Sequence, residues 1–191
     1  MTIDNEENCG VKVLKTVFDF LETLFITLFV CILIFTYVVR IVSVNGESMM
    51  NTLNDGERVL IGLIYPTPKR GDIVVIQADE CVLYNESGSL EISGGLNKSI
   101  VKRIIAVGGQ SVDIDFGSGA VYIDGERIFE DYLELGLTHS DGGAFTGTYP
   151  VTVPEGYVFV MGDNRSVSKD SRSDEVGFVS EESITGKVLF K

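Results

Sequence analysis

Thr23–Leu24–Phe25–Ile26–Thr27–Leu28–Phe29–Val30–Cys31–Ile32–Leu33–Ile34–Phe35–Thr36–Tyr37–Val38–Val39 carries no charge over 17 positions and divides the chain in two. A helix needs about 17–25 mostly apolar residues to cross hydrocarbon, so this run reaches the lower bound. Val17, Phe18, Phe20 and Leu21 extend it, interrupted by Asp19 and Glu22. Carboxylates are expensive in lipid and favoured at a helix start, which puts these two at the interface. A cleavable signal peptide would show an h-region of about 7–15 residues and then a small-x-small site; the run is longer and no such site follows. A buried soluble helix would show a polar face, and this run is apolar all round. The expected layout is a short tail over 1–16, an anchor helix over 17–39 and a domain over 40–191. Lys12 and Lys15 precede the anchor and Arg40 follows it, so the basic residues lean toward a cytoplasmic N-terminus without deciding it.

Composition removes several function classes. The 191 residues carry 15 Lys+Arg against 28 Asp+Glu, a formal charge of −13, and no basic stripe for nucleic acid. Cys9, Cys31 and Cys81 are too few and too scattered for a disulfide framework or a metal cluster. One histidine, His139, lies in a Gly-bearing loop, which argues against both a Ser-His-Asp triad and a zinc site. Neither a phosphate-binding Gly loop nor a dinucleotide fingerprint is present, so no cofactor is implied.

Beyond the anchor the sequence reads as short strands and turns. Val42 and Val44, Val59–Leu60–Ile61 and Ile73–Val74–Val75–Ile76 are β-rich runs bounded by Gly, Asp or Pro. Asp124–Gly125, between Val121–Tyr122–Ile123 and Arg127–Ile128–Phe129, signals a hairpin with a type I′ turn. Tyr157–Met161 and Lys187–Phe190 supply further strands. Residues 78–99 suggest a hairpin with a mobile tip, and 138–148 a second loop. The expected fold is mostly β: a compact domain preceded by one transmembrane helix.

Without a usable histidine, a hydrolase can still pair serine with lysine. Such a lysine must be desolvated, because an ordinary ammonium has a pKa near ~10.4. In Ser99–Ile100–Val101–Lys102–Arg103–Ile104–Ile105–Ala106–Val107, alternation puts Lys102 on one face with Ile100, Ile104 and Ala106. The same pattern allows Arg103 to be the inward residue, and Lys187 is a weaker candidate of the same kind. Asn45–Gly46–Glu47–Ser48–Met49–Met50 breaks a strand at Gly46 and could hold the Ser48 hydroxyl beside backbone N–H groups, although a serine in such a turn is more often structural. Ser166–Val167–Ser168–Lys169 also matches an S-x-x-K pattern, but it sits among polar residues where a buried helix start is required.

At these residues the chain resembles bacterial type I signal peptidases, Ser-Lys enzymes that remove signal peptides, and the likeness covers nearly the whole chain. Ser48–Met49–Met50–Asn51–Thr52–Leu53 is similar to the family's nucleophile box, and Val101–Lys102–Arg103–Ile104–Ile105–Ala106–Val107–Gly108–Gly109 to its general-base box. The run Gly162–Asp163–Asn164–Arg165–Ser166–Val167–Ser168–Lys169–Asp170–Ser171–Arg172 is the most specific match. Glu130–Asp131–Tyr132–Leu133, after the hairpin, also looks like the family's. The resemblance implies Ser48 as nucleophile, Lys102 as base, Ser168 orienting the lysine, and Asp170 with Arg172 as a supporting ion pair. It implies an oxyanion site at the Ser48 N–H, with Gly46 where other members sometimes carry a hydroxyl. It also implies shallow pockets shaped by Val44, Met49, Leu53, Ile100 and Val101, selecting small-x-small ends. The implied partners are signal peptides of exported preproteins, the bilayer, and by extension the translocation machinery. The implied location is the cell membrane, single-pass, with the β domain outside and Ser48 nine residues past Val39.

Two departures stand out: Asn51 in place of the nucleophile-box proline, and Gly108–Gly109–Gln110 in place of a P-G-D-like end. Both bear on loop rigidity rather than on reacting groups. A self-cleaving repressor-type Ser-Lys protease would carry a DNA-binding or cleavage segment where this chain has its apolar helix. A catalytically inactive β module or scaffold of the secretion machinery is the reading outside enzymology; Ser48, Lys102 and Ser168 are all retained against it.

Overall fold

The apolar run folds as helix α1, Ile3–Tyr37, in a computed structural model that describes residues 3–50, 52–65, 67–133, 138 and 149–190. Its Leu14–Tyr37 stretch, 24 residues, is long and apolar enough to cross a membrane. The hydroxyls of Thr16, Thr23 and Thr27 donate to carbonyls one turn back at 2.8–3.0 Å, so these polar groups are satisfied within the helix. The helix reaches further toward the N-terminus than the expected 17–39 and stops sooner, because Val39 already opens a strand. The β-branched series Val38, Val39, Ile41 and Val42 favours extended chain over helix.

Two units are distinguished, Met1–Arg40 and Ile41–Lys191. In chain order the strands are β1 (Val39–Ser43), β2 (Arg58–Gly62), β3 (Ile73–Gln77), β4 (Glu80–Tyr84), β5 (Leu90–Gly94) and β6 (Ser99–Val107). They continue with β7 (Ser111–Asp115), β8 (Ala120–Ile123), β9 (Glu126–Arg127), β10 (Val151–Thr152), β11 (Tyr157–Met161), β12 (Val179–Ser180) and β13 (Ile184–Phe190). Seven of them form a sheet in the order β1-β2-β13-β3-β6-β11-β12. Four more make the sheet β10-β7-β8-β9, and β4 pairs with β5 as the hairpin expected within 78–99. Asp124 and Gly125 have φ of 54° and 82°, the two positive values a type I′ turn between β8 and β9 requires. The domain is mostly β.

Long β6 lies near the middle of the large sheet and carries the proposed base. Its even-numbered residues Ile100 and Ile104 pack with Val74, Ile76, Val158 and Val160. A bulge then interrupts the alternation: Val160 pairs with Ile104 and Phe159 with Ala106, leaving Ile105 without a partner on β11. Ile105 and Ala106 therefore both join a second cluster with Val112, Val121, Phe159 and Met161. The expected common face of Lys102 and Ala106 ends at this bulge, because one extra residue resets the period-two pattern. Asn51, His139 and residues 139–148 lie outside the described residues, so the expectations for them find no structural counterpart here.

Candidate active site

The turn that carries Ser48 is built by burying what flanks it. Val44, Met49 and Leu53 are sunk in a core cluster with Val59 and Ile61, which fixes the chain on both sides of Ser48 and leaves Ser48 partly exposed. Between them the backbone turns tightly, with Met50 N–H donating to Glu47 C=O at 3.1 Å and Leu53 N–H to Met49 C=O at 2.7 Å. Gly46 enters the turn at φ 95°, a conformation that disfavours a Cβ, and its N–H donates to Asp55 Oδ1 at 2.7 Å.

Lys102 reaches this turn from β6, 54 residues away in sequence. Its side chain is 3% exposed, and Nζ donates to Ser48 Oγ at 2.7 Å and to Val101 C=O at 3.0 Å. Burial lowers the ammonium pKa to about 8, with the Asp170 charge opposing and the charges of Lys98 and Arg172 adding to the shift. Of the competing cations, Arg103 turns to Asp163, with Nε and Nη2 on its two carboxylate oxygens at 2.8 and 2.7 Å. Lys187 pairs with Asp72 at 2.6 Å, and Lys169 of the S-x-x-K decoy pairs with Glu175 at the surface. Among the described residues, the lysine beside Ser48 is Lys102.

Consecutive residues after β11 each bind a different segment around the pair. Gly162 admits the close approach of two of them: a Cβ there would lie 2.2 Å from Ser168 Oγ and 2.4 Å from Ser48 C=O. Asp163 holds Arg103 and also accepts from the Thr52 hydroxyl, tying the segment after Ser48 to β6. Asn164 donates from its backbone N–H to Ser48 C=O at 3.0 Å and from Nδ2 to Glu47 C=O at 3.1 Å. Arg165 is buried against Glu130 and the Thr138 hydroxyl, and its Nε donates to Gly162 C=O at 3.0 Å. The guanidiniums of Arg103 and Arg165 lie over the Tyr132 ring, 4.0 and 6.0 Å from its centre, and the Tyr132 hydroxyl donates to Glu130. No sequence pattern assigns a role to Gly162, Asp163, Asn164, Arg165 or Glu130, and Arg103 stands out only as the alternative inward cation of β6. The signal available was a dense polar run directly after the buried strand Tyr157–Met161.

Asp170 and Arg172 are wholly buried and paired, with Nε and Nη2 each donating to the carboxylate at 2.8 Å. Gly162 N–H donates to the same carboxylate at 2.9 Å. Burial works against ionisation of Asp170, but the Arg172 charge and these hydrogen bonds outweigh it and hold the carboxyl below its usual range. Ser168 is 2% exposed, and its Oγ makes no hydrogen bond of normal geometry; its approach to Asp170 still favours the ionised carboxylate. The amine of Lys102 thus bonds Ser48 and Val101 and does not bond Ser168.

Of the expected pocket residues, Val44, Met49 and Leu53 share one cluster with Val101 at its margin, whereas Ile100 packs in the neighbouring cluster. Gly108 is pressed against Pro154 and Glu155, where a Cβ would come within 3.0 Å of the Glu155 Cα. Gln110 accepts from Val107 N–H at 3.1 Å and donates to Asp124 at 3.0 Å, so the departing end of the base box is held by its own bonds.

Comparison with known proteins bears on the same residues. A signal peptidase IB of Staphylococcus aureus is 31% identical over 191 residues, covering 93% of this chain and 90% of that protein. A signal peptidase I of Bacillus licheniformis is 33% identical over 185 residues, with 92% and 88% covered. The crystal structure of a signal peptidase I from Enterococcus faecalis superposes with a TM-score of 0.47 at 29% identity, covering 66% of this chain and 99% of that one. The model of the family described as signal peptidase, peptidase S26, matches residues 17–191, a span that holds Ser48, Lys102 and the whole 162–172 run; this chain belongs to that family.

Proposed function

We propose that the chain is a membrane-anchored serine endopeptidase that removes signal peptides from exported preproteins after small-x-small ends, using Ser48 and Lys102. Signal peptide removal follows from the family. The observation that carries the dyad is the 2.7 Å contact between Ser48 Oγ and a buried amine whose pKa lies near 8. About a tenth of that amine is neutral at pH 7, and covering the site with substrate desolvates it further.

Neutral Lys102 Nζ takes the Ser48 proton as Oγ adds to the scissile carbonyl, and the oxyanion forms beside the Ser48 N–H. The resulting ammonium gives its proton to the leaving amine, and the C–N bond breaks to leave an ester on Ser48. Lys102 then takes a proton from water as the hydroxyl adds to the ester; return of that proton to Oγ frees the signal peptide. Ser168 can accept from the ammonium formed during the cycle, and the Asp170–Arg172 pair holds the segment that bears it. Val44, Met49, Leu53, Ile100 and Val101 would bound the pockets for small side chains. The helix over Leu14–Tyr37 would anchor the protein with its N-terminus cytoplasmic and the β domain outside.

Cleavage of a preprotein with an A-x-A end by the full-length protein in detergent micelles tests this reading. Cleavage after the second small residue is expected, with loss when that residue becomes Phe; equal cleavage of both preproteins refutes the specificity. Digestion of the β domain by protease added to intact cells tests the orientation, and its protection there would invert it.

A further inference from the structure

The planes of the two peptide units flanking Ser48 are held from one residue. Within a trans peptide unit C=O and N–H point in opposite directions, so fixing one aims the other. Glu47 C=O and Ser48 N–H share one unit, and that carbonyl accepts from Asn164 Nδ2 at 3.1 Å. Ser48 C=O and Met49 N–H share the next, and that carbonyl accepts from Asn164 N–H at 3.0 Å. Ser166 Oγ donates to Asn164 Oδ1 at 3.1 Å, which orients the carboxamide with its NH2 toward Glu47. Among the described residues no acceptor takes the Ser48 N–H, which leaves it aimed away from Asn164 and open to a ligand.

We infer that Asn164 is a positioning residue for the oxyanion site: by gripping the carbonyls of Glu47 and Ser48 it aims the Ser48 N–H at the oxygen that becomes negative in the transition state. The inference rests on Ser48 being the nucleophile. Gly46 gives no side-chain donor here, so the alignment of the backbone donor carries more of the stabilisation than where a hydroxyl assists. The Met50 N–H bond to Glu47 C=O persists without Asn164, so the expected effect is smaller than loss of a donor outright.

The test compares wild type, Asn164→Leu, Ser166→Ala and Ser48→Ala as full-length proteins in micelles, with kcat and KM measured across pH. Asn164→Leu should lower kcat about 10- to 100-fold with KM within about twofold and the acid limb of kcat/KM unmoved. Affinity for a substrate-like peptide aldehyde, which forms a tetrahedral adduct with Ser48, should fall by the same factor. Affinity for the corresponding peptide alcohol should not change. Ser166→Ala should show the same pattern at several-fold, and it carries the test if Asn164→Leu does not fold. A kcat within twofold of wild type in the folded variants overturns the inference. So does a loss that arrives with a raised KM, or with a displaced acid limb, which would place Asn164 at the substrate or at Lys102. Wild-type turnover by Ser48→Ala would overturn the nucleophile assignment and this inference together.

Discussion

Replacing Lys102 by Met removes a titrating group from the interior, and the consequence is a stability difference that depends on pH. Lys102 titrates near 8 in the folded chain and near 10.5 when unfolded. Between those values the unfolded state binds more protons than the folded state, so wild-type stability rises with pH across that window. Below it the folded protein carries a buried ammonium, whose burial costs roughly 3 kcal/mol, from a shift of about 2.5 units at 1.36 kcal/mol each. Met fills a similar volume and has no charge to desolvate. The advantage of Lys102→Met over wild type should therefore be largest below pH 7 and shrink by roughly 3 kcal/mol as pH approaches 10.5. The lost bonds to Ser48 Oγ and Val101 C=O displace the difference by a pH-independent amount of about 1 kcal/mol each and leave its slope untouched. Burial holds the phenols of Tyr65 and Tyr132 above their usual range, so near pH 10 they lower the stability of both proteins alike and cancel from the difference. The assay is thermal unfolding of both full-length proteins in nonionic micelles, followed by far-ultraviolet circular dichroism from pH 6.5 to 10.5. At about 2–4 °C per kcal/mol the gap in Tm should change by roughly 6–12 °C over that range. A gap that stays constant would refute the claim that Lys102 is a buried amine of lowered pKa.

Other outcomes follow from the same geometry. The kcat/KM of wild type should rise with pH along an acid limb centred near 8 or below, since the neutral amine is the working form; a rate independent of pH from 5 to 9 would speak against a lysine base. Gly162→Ala should lower kcat about 100-fold or more, because its Cβ would occupy the space of Ser168 Oγ and Ser48 C=O; near-normal kcat would show that the contact yields freely. Asp170→Ala leaves the Arg172 guanidinium buried without its carboxylate and should cost about 3–5 kcal/mol, read as a lower Tm and faster proteolysis of the β domain. An unchanged Tm would mean that water or another acceptor compensates Arg172.

What could be read in advance depended on whether the interaction was periodic or local. The apolar run, the Asp124–Gly125 turn and the strand Tyr157–Met161 announce themselves because burial and turn chemistry act on neighbouring residues. Alternation brought Lys102 inward but left Arg103 as an equal candidate; only Asp163, 60 residues away, resolves the choice by taking the guanidinium. The bulge at Ile105 was hidden because it depends on how β11 pairs with β6, not on β6 alone. The end of α1 at Tyr37 was misplaced for a different reason: Val38 and Val39 are as apolar as the helix yet better suited to extended chain. Ser48 had a weak signal of its own, and its nearness to Lys102 came from the resemblance rather than from any pattern. The parts played by Gly162 and Asn164 lie in a close approach and a clamp on backbone carbonyls, which side-chain chemistry does not reveal.

The central claim is that Ser48 and Lys102 together perform the cleavage. The most direct measurement is turnover of an A-x-A preprotein by wild type, Ser48→Ala and Lys102→Ala, each shown to be folded by circular dichroism. Cleavage at the expected bond by wild type and none above background by either variant is the predicted result. Turnover at the wild-type rate by both folded variants would contradict the dyad.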